Sequence, residues 1–79
     1  MYYVYAISSL NRNYIYVGIS NDPIRRINQH NMGYERTTKP YRPYNLVLIE
    51  SFPTRMEARI REKYLKTSAG KSYLRNIIK

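Results

Sequence analysis

The chain has no cysteine and no tryptophan, and only one phenylalanine and one histidine among its 79 residues. Without cysteine there is no disulfide framework and no thiolate zinc site, and the lone His30 excludes a multi-histidine metal centre. Any metal is therefore expected to be hard and oxygen-bound. No apolar run approaches the roughly 18 residues of a membrane span, and no charged segment followed by an apolar one opens the chain. The reading therefore expects no membrane anchor, no secretion signal and a cytoplasmic location. With so few large apolar residues, the core must come from Ile, Leu, Val and tyrosine rings. That suits one domain, 1–79, with a stability on the order of 5 kcal/mol.

Acids are scarce as well. Five Asp and Glu face fourteen Lys and Arg, a net charge of +9, which spreads positive potential over a surface this small. Nucleic acid is the partner that this charge fits. An anionic membrane surface fits less well, because no helix pairs a lysine-rich face with a broad bulky apolar one. Strong self-repulsion favours a monomer.

What the chain has in excess is tyrosine, ten in all. Residues 2–8 and 14–19 alternate as strands, joined by a turn that uses Ser9, Asn11 and Asn13. Placing Tyr5 opposite Tyr16 brings Val4 against Val17, Ala6 against Ile15 and Gly18 against Tyr3. The apolar pairs then share one face and the tyrosines the other. Asp22-Pro23 predicts a helix start and Gly33 its stop, giving a helix over 22–32 with Ile24 and Ile27 as its apolar stripe. Arg26 and His30, four apart, are neighbours on that helix. Residues 34–43 suit a basic exposed loop. The continuous run Asn45-Leu46-Val47-Leu48-Ile49 predicts a third strand covered on both faces.

Thr54-Arg55-Met56-Glu57 matches a capping box that opens a second helix over 55–67. Ala58, Glu62, Leu65 and Ala69 follow helical steps, so the carboxylate of Glu62 falls within an apolar stripe. Two readings fit: a structural ion pair with a nearby arginine, or a metal ligand at the foot of a cleft. A last helix over 71–78 turns Tyr73, Leu74, Ile77 and Ile78 toward the core, with Asn76 near its edge.

Taken in order, Tyr3-Val4-Tyr5, Tyr16-Val17-Gly18, Arg26, His30, Glu62 and Asn76 resemble the GIY-YIG nuclease domains over nearly the whole chain. The likeness is to the catalytic module of homing endonucleases and to the amino-terminal incision domain of UvrC-type repair nucleases. Tyr3 replaces the first glycine of the name motif. The resemblance implies an α+β fold, a small three-stranded antiparallel sheet flanked by three helices, and hydrolysis of phosphodiester bonds in DNA. It implies Mg²⁺ or Mn²⁺ held by Glu62, and Arg26 on a non-bridging phosphate oxygen. One of Tyr5 and Tyr16, Tyr5 in the first instance, would be the general base and the other an orienting donor. A phenol of pKa about 10 is only about 0.1% ionised at pH 7, so that base needs help from positive charge. His30 would take the proton onward or hydrogen-bond the phosphate. Asn76 would support the site through hydrogen bonds.

Tyr2, Tyr14, Tyr44, Tyr64 and Tyr73 are expected to supply core area, and Tyr34 and Tyr41 to stack on exposed bases. Arg36, Lys39, Arg42, Lys63, Lys66 and Lys71 are candidates for sequence-neutral phosphate contacts. Six such contacts predict a logarithmic salt slope of roughly −5 on duplex DNA. The functional expectation is a metal-dependent endonuclease of low sequence specificity, structure- or single-strand-selective in DNA repair or processing. Any specificity would come from a partner protein. The alternative is an inactive nucleic-acid-binding module acting with a partner.

Overall fold

Three strands, β1 (Tyr2–Ser9), β2 (Ile15–Ser20) and β3 (Tyr44–Phe52), form one antiparallel sheet in the order β2-β1-β3. The computed structural model describes residues 1–78, and Lys79, included in the expected domain, lies outside the described residues. Helices α1 (Pro23–Met32), α2 (Arg55–Leu65) and α3 (Ser68–Ile78) complete an α+β architecture. Among the described residues no helix is long and apolar enough to cross a membrane.

The first strand is central, and its alternation feeds two cores. Val4 and Ala6 pack with Ile15 and Val17 of β2, Ala58 and Leu65 of α2 and Leu74 of α3. On the other face Tyr5 and Ile7 pack with Ile27 of α1 and with Tyr44. The sheet therefore separates α1 from α2 and α3. This segregation is the expected one, but the β1–β2 register differs from the expected register by two residues.

Tyr5 pairs with Gly18, Ala6 with Val17 and Ile7 with Tyr16. A two-residue shift keeps every side chain on its face, so hydrophobic patterning alone could not distinguish the two registers. The turn decides. Ser9 Oγ accepts from the backbone N–H of Asn11 and Arg12 at 3.2 and 3.1 Å, and Ser9 N–H donates to Tyr14 O at 2.9 Å. The reversal therefore begins after Ser9, and the ladder closes two residues later than expected.

The third strand corrects a second expectation. β3 is an edge strand with Leu46 half exposed, not a strand covered on both faces. Its unbroken apolar run has another cause. The register against β1 slips between Ala6 and Ile7, where Leu48 and Leu46 are the partners and Val47 is the extra residue. Such a bulge breaks alternation. Val47 and Leu48 consequently both reach the core under α2 and α3, while Ile49 joins the tyrosine face.

The helix starts follow their caps. The Asp22 side chain accepts from Arg25 N–H at 3.3 Å, with Pro23 in the first turn, and Gly33 ends α1 in the left-handed region at φ 82°. The buried side of α1 is Pro23, Ile27 and His30, whereas Ile24, expected in the stripe, is exposed. Thr54 accepts from Glu57 N–H at 3.2 Å at the head of α2. Helix α3 starts at Ser68, earlier than expected, where Thr67 Oγ1 accepts from Gly70 N–H at 3.2 Å; Gly70 lies against α2, and a Cβ there would fall 2.2 Å from Tyr64 O and 2.4 Å from Leu65 Cα. Gly70 is buried and Ala69 exposed, and of the four α3 residues expected in the core only Leu74 is fully buried.

Tyr64 and Tyr73 are likewise outside the core. Their rings flank the Arg61 guanidinium at 5.3 and 5.4 Å, and Arg61 makes a forked pair with Glu50 of β3 at 2.7 and 3.1 Å. That arrangement ties α2 and α3 to the sheet edge through cation–π and charge-assisted contacts.

Candidate active site

Gly18 determines how the tyrosine face is built. A Cβ at this position would sit 2.6 Å from both Cζ and Oη of Tyr5 and 3.0 Å from Cε2 of Tyr16. With hydrogen instead, the Tyr5 ring lies over the sheet and reaches α1. Tyr5 Oη meets His30 Nε2 at 3.0 Å, and His30 Nδ1 meets Thr38 Oγ1 at 2.9 Å. All three side chains are buried. Gly18→Ala is expected to destabilise the fold by about 1–3 kcal/mol through overpacking and to displace the Tyr5 hydroxyl, with thermal unfolding as the check.

Tyr16 stands at the open side of this group. It is half-buried, its ring centroid lies 4.6 Å from that of His30 and 6.2 Å from that of Tyr5. Arg26 reaches the same place from the first turn of α1. Its Nη1 donates to Gln29 Oε1 at 2.8 Å and its Nη2 to Glu35 Oε1 at 2.9 Å, and its charge bears on the Tyr5 hydroxyl. Glu35 responds with a lowered pKa, through its hydrogen bond to Arg26 first.

Burial dominates the titration of the inner pair. It pushes the Tyr5 phenol up to about 12, with Tyr16 adding to the rise and Arg26 opposing it. Burial also lowers His30, and Arg26 acts in the same direction. Both groups are thereby held neutral around pH 7, a hydroxyl against an imidazole.

The structure thus brings together Tyr5, Tyr16, Arg26 and His30, and among the described residues neither Glu62 nor Asn76 makes a hydrogen bond or ion pair to them. Glu62 projects from α2, which packs beneath the opposite face of the sheet. Its side chain is 13% exposed, and its oxygens meet Lys66 Nζ at 3.2 Å and Arg59 Nε at 4.0 Å. Asn76 is exposed on α3. Among the described residues no group of three or more His, Asp or Glu side chains stands together as a metal cluster.

The basic candidates divide in the same way. Arg36, Lys39 and Arg42 are exposed in the segment after α1, with Arg42 donating to Met32 O at 3.3 Å, and Lys63 is exposed on α2. Lys66 is engaged by Glu62, and Lys71 donates to Ile15 O at 3.1 Å. Tyr34 is well exposed, but Tyr41 is stacked on Tyr14 at 4.1 Å rather than free.

Three contributors have only weak sequence signals. Gln29 follows Arg26 by three residues, the one helical spacing that pointed to it. Glu35 and Thr38 lie past the helix stop, where no periodicity operates.

Residues 1–75 match the family profile described as the GIY-YIG catalytic domain. The chain belongs to the GIY-YIG family. Among solved structures it is similar to the solution NMR structure of the UPF0213 protein BH0048 from Bacillus halodurans. The likeness has 30% identity and a TM-score of 0.57, covering 98% of this chain and 85% of that one. No curated protein matches the chain. The GIY-YIG assignment places it in a nuclease family, whose substrate class is consistent with its charge.

Proposed function

We propose that this GIY-YIG domain is an active, divalent-metal-dependent endonuclease that hydrolyses DNA phosphodiester bonds with little sequence preference. The observation that carries this reading is the buried Tyr5–His30 hydrogen bond, flanked by Tyr16 and Arg26. A neutral phenol bonded to a neutral imidazole is a proton relay. With its pKa near 12, Tyr5 would be ionised to only about 10⁻⁵ at pH 7, too little for a free tyrosinate base. The relay avoids that state. As the attacking water yields a proton to the Tyr5 oxygen, the Tyr5 proton passes to His30 Nε2.

Arg26 sets the timing. In the free protein its fork is on Glu35 and Gln29, against the Tyr5 hydroxyl. A phosphate offers the same two-point acceptor geometry as a carboxylate. Transfer of Arg26 from Glu35 to a non-bridging oxygen neutralises the attacked group and frees the Tyr5 oxygen for water. Tyr16, the phenol nearer solvent, orients the water or the phosphate.

Glu62 is the residue that would hold the metal. A single carboxylate suits Mg²⁺ or Mn²⁺ arriving with substrate phosphate, since Mg²⁺ commonly uses one or two carboxylates and keeps several waters. Bound there, the ion would supply Lewis-acid stabilisation of several kcal/mol to the developing charge. Asn76 would act at the periphery through hydrogen bonds. A role in DNA repair or processing, with specificity from a partner protein, belongs to the same proposal.

The deciding experiment incubates purified protein with branched, single-stranded and duplex DNA, with Mg²⁺ or Mn²⁺ or with chelator. Cleavage that chelator stops is expected. Binding to all three without cutting would make this an inactive nucleic-acid-binding module, the reading that the engagement of Glu62 by Lys66 and Arg59 favours. Salt titration adds an independent check. With Lys66 and Lys71 committed within the protein, Arg36, Lys39, Arg42 and Lys63 remain of the six candidates. The expected logarithmic slope on duplex DNA is then roughly −3.5, shallower than six contacts would give.

A further inference from the structure

His30 has two tautomers, and its surroundings choose between them. We infer that Thr38 is a positioning residue that holds His30 as the Nδ1–H tautomer, turning the Nε2 lone pair toward the Tyr5 hydroxyl. For its catalytic consequence this rests on the nuclease reading above, whereas the tautomer itself does not.

The assignment follows from counting donors in a buried group. Tyr5, His30 and Thr38 are each at most 1% exposed in the free protein, so with Arg26 in its resting place water does not complete their hydrogen bonds. If Nε2 carried the proton, it would donate to the Tyr5 oxygen, and the Tyr5 O–H would need another acceptor. Among the hydrogen bonds of the described residues His30 Nε2 is the one acceptor within reach of the Tyr5 O–H, and the Arg26 guanidinium beside it has only donors. A buried hydroxyl proton would be stranded, which folded proteins avoid.

With the proton on Nδ1, every group is matched. His30 Nδ1–H donates to Thr38 Oγ1 at 2.9 Å, and Tyr5 O–H donates to Nε2 at 3.0 Å. The Thr38 hydroxyl then sends its own proton to Glu35 O at 3.4 Å, and the Tyr5 oxygen keeps a lone pair for Arg26. Thr38 is held in turn: its carbonyl accepts from Tyr44 Oη at 2.8 Å and from Tyr41 N–H at 3.1 Å. The same segment that supplies Glu35 to Arg26 thus supplies Thr38 to His30, so one short stretch of chain sets both the guanidinium and the imidazole.

The chain contains one histidine, so long-range ¹H–¹⁵N correlation spectra of labelled protein report this ring alone. The free protein is expected to show a protonated Nδ1 and an unprotonated Nε2 at neutral pH. Thr38→Val, which keeps the shape and loses the hydroxyl, is expected to move the ring toward Nε2–H, and Thr38→Ser to retain Nδ1–H. In the cleavage assay Thr38→Val should lose about 10-fold or more in kcat with KM little changed, and Thr38→Ser should recover most of it. A wild-type ring protonated at Nε2 overturns the proposal, as does a Thr38→Val protein that is folded by circular dichroism with its tautomer unchanged. Because the spectra need no substrate, a protein with the Nδ1–H ring and no cleavage on any DNA would sink the nuclease reading while leaving the tautomer assignment standing.

Discussion

Arg26→Ala is expected to lower kcat/KM for DNA cleavage by about 10²- to 10³-fold, the usual effect of deleting one donor aimed at developing charge. Its thermal stability should hardly change. The Arg26–Glu35 pair is part-exposed, with side chains 32% and 43% accessible, and pairs of that kind contribute at most about 1 kcal/mol once solvent screening is allowed for. The two effects therefore separate cleanly, and steady-state kinetics beside a thermal melt would measure both. Glu35→Gln should act with the opposite sign on binding. In the free protein Glu35 occupies part of the fork that a phosphate would take, so removing its charge is expected to tighten DNA binding by roughly two- to fivefold, in line with the worth of one exposed pair. An Arg26→Ala enzyme that cleaves within about threefold of wild type would reduce this residue to a helix charge solvated beside Glu35, and the phosphate would need another anchor.

The order of elements was legible in the sequence because caps and punctuation are local. Asp22-Pro23, Gly33 and Thr54 mark their helix ends by hydrogen bonds within a few residues, and those ends lie where expected. The faces of β1 and β2 were legible for the same reason: alternation is a property of each strand by itself. Register was not, because a two-residue slip preserves alternation, and the Ser9 side chain that settles it acts through a turn whose exact start has no strong signature. The bulge at Val47 was hidden similarly. Four consecutive apolar residues read as a strand covered on both sides, when the chain had instead placed two neighbours on one face. Of the site, Arg26 and His30 could be paired from their spacing, and the two tyrosines from their shared face. What the spacing could not convey is that His30 is fully buried beneath Tyr5 while Arg26, four residues away on one helix, stays at the part-exposed rim beside the Tyr5 hydroxyl. Glu35 and Thr38 contribute from an irregular segment, where contact depends on the path of the chain and not on any period.

Glu62→Ala carries the other large expected effect: loss of metal-dependent cleavage by about 10³-fold or more, with the melting temperature nearly unchanged. The stability half follows from geometry. Glu62 is joined to Lys66 and Arg59 at helical spacings, at 3.2 and 4.0 Å, and such pairs contribute only about 0.3–0.5 kcal/mol each. The activity half requires that a metal displace those cations. A singly charged ammonium at 3.2 Å is a weak competitor for a carboxylate against a divalent ion, so the pairs would present no large barrier to Glu62 holding one. The harder requirement is spatial. α2 packs against the face opposite the phenols, so Glu62 and Tyr5 serve one reaction only if a single phosphate reaches both. Scoring cleavage and melting for Glu62→Ala beside Tyr5→Phe tests this. Near-complete loss in both, each protein folded, puts the acid and the phenol on one reaction; a Glu62→Ala protein that melts lower yet cuts as before makes the carboxylate a helix ion pair and leaves the metal without its ligand.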